Sequence, residues 1–145
     1  MPYFRTKQGG ERATINGTTG EGAAPSMPNS GVSIITNTTA EVFVLQPPIA
    51  GCEKTIVFHT YSTTALPIVK LTSAANTAAP ISFMGVSTNL SVIKSAAGKS
   101  TVSPTVVQLK GINSTSWLIM SVFPNMGAVT TGSTGVSNGI ALTST

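Results

Sequence analysis

The sequence predicts an all-β fold: a single β-sandwich or jelly-roll-like domain with an extended N-terminal arm. Three observations predict it. Only 8% of the 145 residues carry charge, against about 25% in an ordinary globular domain, so no segment can supply the charged stripe of a surface helix. Ser and Thr make up 39 residues, and Thr and Val favour pleated surfaces over helices. Short apolar runs recur between turn signals, the spacing of sandwiches and barrels.

Three zones follow in order. Residues 1–30 are polar and punctuated by Gly9-Gly10, Asn16-Gly17, Pro25 and Pro28. They hold too little apolar surface to fold alone and read as an arm that orders against a neighbour. Residues 31–124 read as the domain. Its strands are expected at Val32–Thr36, Glu41–Leu45, Lys54–Thr60, Leu66–Leu71, Ile81–Met84, Leu90–Ile93, Thr105–Leu109 and Ser116–Val122. Asn37, Gln46-Pro47-Pro48 and Gly51 interrupt the run early on, and Pro67 stands near a strand start, where a missing N–H is tolerated. The strand around Trp117 is apolar on both faces, which predicts a central or doubly covered place. Residues 125–145 are rich in Gly, Thr and Ser and form either one more strand near Gly139–Thr143 or a second arm.

The reagents of catalysis are scarce. The chain has no Asp, one His and four Glu, so a Ser-His-Asp triad cannot be built and a Glu version must use His59. His59 falls in a strand pattern and reads as a partly exposed surface residue. One His, one Cys and four Glu do not furnish a tetrahedral metal shell, and Asp-rich calcium loops are missing. Cys52, beside Glu53, reads as a small half-buried hydrophobe. Gly98-Lys99-Ser100 lacks the upstream glycine of a phosphate loop, since Ile93 stands at its place. The expectation is a non-enzyme with no cofactor and no metal.

Partners are bounded in the same way. The net charge of +4 comes from dispersed cations without stacking aromatics, which argues against a nucleic-acid face. No run of about 18 apolar residues offers a membrane helix, and the first residues do not read as a signal peptide. The expected origin is a cytosol. Asn16, Asn37, Asn89 and Asn113 head glycosylation sequons that follow from hydroxyl richness alone. Trp117 is expected to be a core anchor with its N–H paired to a carbonyl.

Two segments carry a resemblance. Leu45-Gln-Pro-Pro-Ile-Ala-Gly-Cys-Glu-Lys-Thr-Ile-Val-Phe58 resembles the opening hairpin of small β-modules in tailed-bacteriophage structural proteins. Val107-Gln-Leu-Lys-Gly-Ile-Asn-Ser-Thr-Ser-Trp-Leu-Ile119 resembles their closing hairpin. The likeness spans about residues 40–123 and points to capsid decoration (cement) proteins, or to a related phage module. It implies a structural virion protein on the outer capsid surface, a homotrimer in habit, bound to the major capsid protein and to neighbouring copies of itself. By position, Gly51 and Gly111 would be turn glycines and Trp117 a core or intersubunit anchor. Tyr3, Phe4, Arg5, Lys7 and Arg12 would be the arm's contacts with the shell or a neighbour. A phage fibre or receptor-binding module is the first alternative, and a small jelly-roll coat protein the second.

Overall fold

The computed structural model describes residues 12–15, 26–36, 42–59, 68–71, 81–83, 86–87, 92–95, 105–123, 129–131 and 140–143. All of their regular structure is strand: β1 (Arg12–Ile15), β2 (Ser26–Met27), β3 (Gly31–Ile35), β4 (Val42–Leu45), β5 (Glu53–Phe58), β6 (Ile68–Leu71), β7 (Ile81–Phe83), β8 (Val86–Ser87), β9 (Val92–Ser95), β10 (Thr105–Gly111), β11 (Trp117–Phe123), β12 (Val129–Thr131) and β13 (Ile140–Thr143). They form a seven-stranded sheet in the order β1-β3-β5-β10-β11-β7-β8 and a six-stranded sheet in the order β12-β13-β9-β6-β4-β2.

The first half of the chain winds between the sheets. From β1 to β7 consecutive strands alternate, odd ones in the larger sheet and even ones in the smaller. Each return up to β6 lays a strand parallel to the previous one in its sheet: β1 on β3, β3 on β5, β2 on β4 and β4 on β6, whereas β7 pairs with β11. Parallel neighbours need such long crossovers, because a tight turn can only reverse a strand.

The segment Leu45–Phe58 is therefore not a hairpin, which corrects the sequence expectation. β4 and β5 lie in different sheets. Pro47 and Pro48 have no N–H with which to extend a ladder. Ile49–Cys52 then forms a tight turn, closed by the Cys52 N–H donating to the Ile49 carbonyl at 3.0 Å, with Gly51 at φ 82°, the conformation that a type II turn asks of its third residue. This crossing stacks on the earlier one. The Gln46 N–H donates to Met27 O at 2.8 Å, and Asn29 Nδ2 donates to Pro47 O at 2.8 Å. Beyond the far end of β5, the His59 N–H donates to Ile35 O at 2.8 Å.

Alternation along the strands puts one residue in two inward. β3 and β10 follow it over their whole length, as period-2 geometry requires. One cluster of buried side chains draws on both sheets: Ile56, Phe58 and Trp117 from the larger, Phe43, Leu71 and Ile93 from the smaller. Each such side chain contributes about 1.5–3 kcal/mol on leaving water.

The segment around Trp117 does form the expected hairpin. β10 and β11 are antiparallel, joined by a turn in which the Ile112 N–H donates to Ser116 O at 2.9 Å. Asn113 Oδ1 accepts from the Thr115 N–H at 2.8 Å and from Thr115 Oγ1 at 2.9 Å. β11 lies between β10 and β7, the central place its two apolar faces predict. The register slips between Gln108 and Leu109, whose partners are Ser121 and Ile119, so Met120 is the extra residue of a β-bulge. The bulge returns Val122 to the core and leaves Met120 at 50% exposure.

Two strands fall inside the span read as an arm. β1 and β2 pair with β3 and β4 of the same chain. Near the C-terminus β13 occupies the place expected for a further strand, and β12 pairs with it in parallel.

Candidate functional site

Lys54 shares its inward phase with Ile56 and Phe58 on β5. Its side chain lies under the crossing that leads into β3, where Gly31 is its register partner and adopts φ 78°. Nζ donates to Ser33 Oγ at 2.6 Å and to the Ser30 carbonyl at 3.3 Å. Lys54 and Ser33 are each only 1% exposed. Burial lowers the Lys54 pKa from 10.5 to about 8, because desolvation disfavours the ammonium.

A serine hydroxyl against a lysine amine supplies the atoms of a nucleophile and its base. The surroundings give them another task. A depression of about 150 Å³ beside this place is lined by Glu53, Lys54, Thr55, Gln108, Leu109 and Met120 and does not include Ser33. At neutral pH the group is an ammonium with both recorded acceptors engaged, a donor rather than a base. It ties β5 to β3 and to the crossing before it.

A second junction joins Gly51 and Gly111. The Gly51 N–H donates to Gly111 O, and the Gly111 N–H donates to Cys52 O, each at 2.9 Å. Gly111 is thus the last residue of β10, not a turn glycine, which corrects the sequence expectation. Its side-chain position is filled by neighbours: a Cβ there would overlap the Ile49 carbonyl oxygen and lie 2.8 Å from Cys52 Sγ. Half-buried Cys52 packs against the core, and the Ile49 N–H points to its Sγ at 3.4 Å.

The third feature is the outer face of the larger sheet. Register places Ile34 beside Val57, Val57 beside Val106, and Val106 beside Phe123. In-register partners share a face, so these apolar side chains form a row across four strands. The first three are half-buried, and Phe123 ends the row at 61% exposure. The adjacent row is Val32, Thr55, Gln108 and Ser121, with Ser121 Oγ donating to Gln108 Oε1 at 2.6 Å. The only charged side chains that β3, β5, β10 and β11 bring to this face are Glu53 and Lys110, whose charged atoms stand 3.7 Å apart.

Trp117 lies fully in the core, so it offers no stacking platform. Among the described residues its Nε1 has no hydrogen-bond partner, where the sequence expectation had a carbonyl. Half-buried His59 follows the end of β5 rather than lying within it. Among the described residues no three His, Cys, Asp or Glu side chains gather as a metal site, and no helix is long and apolar enough to cross a membrane. Of the expected arm contacts, Arg12 opens β1 beside Val32; Tyr3, Phe4, Arg5 and Lys7 lie outside the described residues. Lys54 and Ser33 were missed, although the phase of Lys54 with Ile56 and Phe58 already places a cation on the inward side of its strand.

Comparison with protein-family models, with curated proteins and with solved structures finds no match.

Proposed function

We propose that the chain is a non-enzymatic structural protein of a virion, a capsid decoration protein that binds the outer capsid lattice and neighbouring copies of itself. In this reading the two sheets face each other as a β-sandwich across their shared core. The outer face of the larger sheet is the docking surface.

One observation supports this most: the row from Ile34 to Phe123 is apolar, and on β3, β5, β10 and β11 the only charges on this face are one facing pair of opposite sign, with Arg12 of the edge strand β1 in register with Val32. Docking such a face removes little charge from water, and unpaired charge is what makes burial costly. Many copies on a lattice then multiply modest contacts through high local concentration. The homotrimer and the N-terminal arm belong to the same reading.

The test is binding of the purified chain to empty phage capsids, read by co-sedimentation, with light scattering for its mass in solution. Saturable binding by a trimer is expected. A monomer that leaves the shells bare would overturn the reading. Deleting residues 1–25 is expected to lower occupancy, and unchanged occupancy would remove the arm from it.

A further inference from the structure

We propose that β1 is exchanged between copies: Arg12–Ile15 of one chain seats on the β3 edge of another. For its setting this rests on the docking role proposed above, but it is tested without it.

The seat is a backbone seat. β1 lies at the end of the larger sheet, paired in parallel with Val32–Ile35. The rest of the fold is fastened on the near side of that edge. The Gln46 N–H holds Met27 O, Asn29 holds Pro47 O, and Lys54 holds Ser30 O and Ser33 Oγ. The winding is thus closed from β2 onward by bonds in which β1 takes no part. Without a four-residue partner such as β1, the outer edge of β3 would present a row of open N–H and C=O groups, a template for another strand.

That edge takes a strand in parallel register, and every copy carries one in β1. Ten residues separate β1 from β2, enough chain to span up to about 33 Å when extended. An arm from a neighbour makes the same ladder in the same register, so exchange requires no new surface. What decides between own arm and neighbour's arm is local concentration. Crowded copies of one chain shift that balance towards exchange, the usual low-cost route to a symmetric assembly.

The experiment uses full-length chains carrying Cys52→Ser, one with Thr14→Cys and a second, heavier by a tag, with Ile34→Cys. Thr14 and Ile34 are register partners. The chains are unfolded together, refolded at a series of concentrations, treated with a short bis-maleimide and mapped by mass spectrometry. The cross-linked pair is expected to rise about tenfold as concentration approaches the roughly millimolar level of a tethered arm, and to persist on dilution. A doubly substituted chain that yields only intrachain cross-links at every concentration would overturn the proposal. Arg12→Cys with Val32→Cys tests the same register should the first pair fold poorly. Unsubstituted chains of two masses provide a check free of any substitution: mixed oligomers after joint refolding that chains lacking residues 1–15 do not form support exchange, and monomers throughout, or oligomers that form equally without residues 1–15, overturn it. Exchange without capsid binding would leave this proposal standing and remove the decoration reading; capsid binding with intrachain cross-links only would do the reverse.

Discussion

Lys54 Nζ donates to Ser33 Oγ across 2.6 Å, and both side chains are 1% exposed. A cation is thereby held in the interior by neutral acceptors on an adjacent parallel strand and on the crossing that leads into it. Such an arrangement joins two turns of the winding, and it makes the pair interdependent.

Removing one partner should hurt more than removing both. Ser33→Ala leaves the ammonium with one recorded acceptor and is expected to cost about 1.5–3 kcal/mol, the range for a hydrogen bond to a charged group. Lys54→Met keeps the volume and removes the buried charge. The double variant should be more stable than Ser33→Ala alone, as replacing a buried polar pair by apolar groups often is. Urea unfolding of the four proteins measures the coupling; strict additivity would show that the bond contributes nothing.

The pH dependence has a definite sign. The folded pKa of Lys54 is about 8, below its ordinary 10.5. Below pH 8 both states hold the proton, and the folded state bears the full cost of the buried charge. Between pH 8 and 10.5 the unfolded chain binds the proton while the folded chain has released it, so stability rises with pH. The gain amounts to about 3 kcal/mol at 1.36 kcal/mol for each pKa unit. Urea midpoints from pH 7 to 10.5 should climb in the wild type relative to Lys54→Met; parallel curves would contradict the burial of this amine.

The glycines of the junction should separate by mechanism. Gly111→Ala forces a methyl into the Ile49 carbonyl and against Cys52 Sγ, an overpacking expected to cost about 1–3 kcal/mol or more. Gly51→Ala meets nothing within 4 Å and suffers only its φ of 82°, about 1–2 kcal/mol. Cys52→Ala removes one of the two collisions at Gly111 and should recover part of that loss, but none of the loss at Gly51. Thermal unfolding of the single and paired variants measures this; equal recovery at both glycines would refute the packing account.

Phe123 should matter for docking and little for folding. At 61% exposure its replacement by Ser is expected to change stability by no more than about 0.5 kcal/mol. As an exposed aromatic at the end of an apolar row it has the character of an interface anchor, and such residues cost about 2 kcal/mol or more when truncated. Capsid co-sedimentation should therefore weaken at least about tenfold, since 1.4 kcal/mol is tenfold in affinity. Unaltered binding would move the docking surface elsewhere.

Much of the strand content was legible, because alternation and turn residues are local signals. β3, β4, β5, β10 and β11 begin within a residue of Val32, Glu41, Lys54, Thr105 and Ser116, where the sequence predicts them. Pairing was not legible. Gln46-Pro47-Pro48 followed by Gly51 marks a stop and a turn, and nothing local says whether the chain folds back beside β4 or crosses to the other sheet. β1 and β2 escaped notice because short edge strands carry little apolar signal; their partners, not their own residues, make them strands. The bulge at Met120 was hidden for a similar reason, since Trp117, Leu118, Ile119 and Met120 are apolar on either phase. The tie between Lys54 and Ser33 was half legible: the inward phase of Lys54 could be read, whereas the adjacency of β3 depends on the winding.

The parallel winding also bears on when the chain can fold. β5 has its sheet neighbours in β3, on the far side of β4, and in β10, whose first residue, Thr105, pairs with Phe58. Ladders between such distant segments form slowly, because the loop must close before contacts reward it. The β10–β11 hairpin is the longest local pairing among the described strands, and it emerges late from the ribosome. Nascent chains should therefore wait with β3 and β5 uncovered, and assembly of the protein in cells would depend on chaperone supply and temperature more steeply than its final stability suggests.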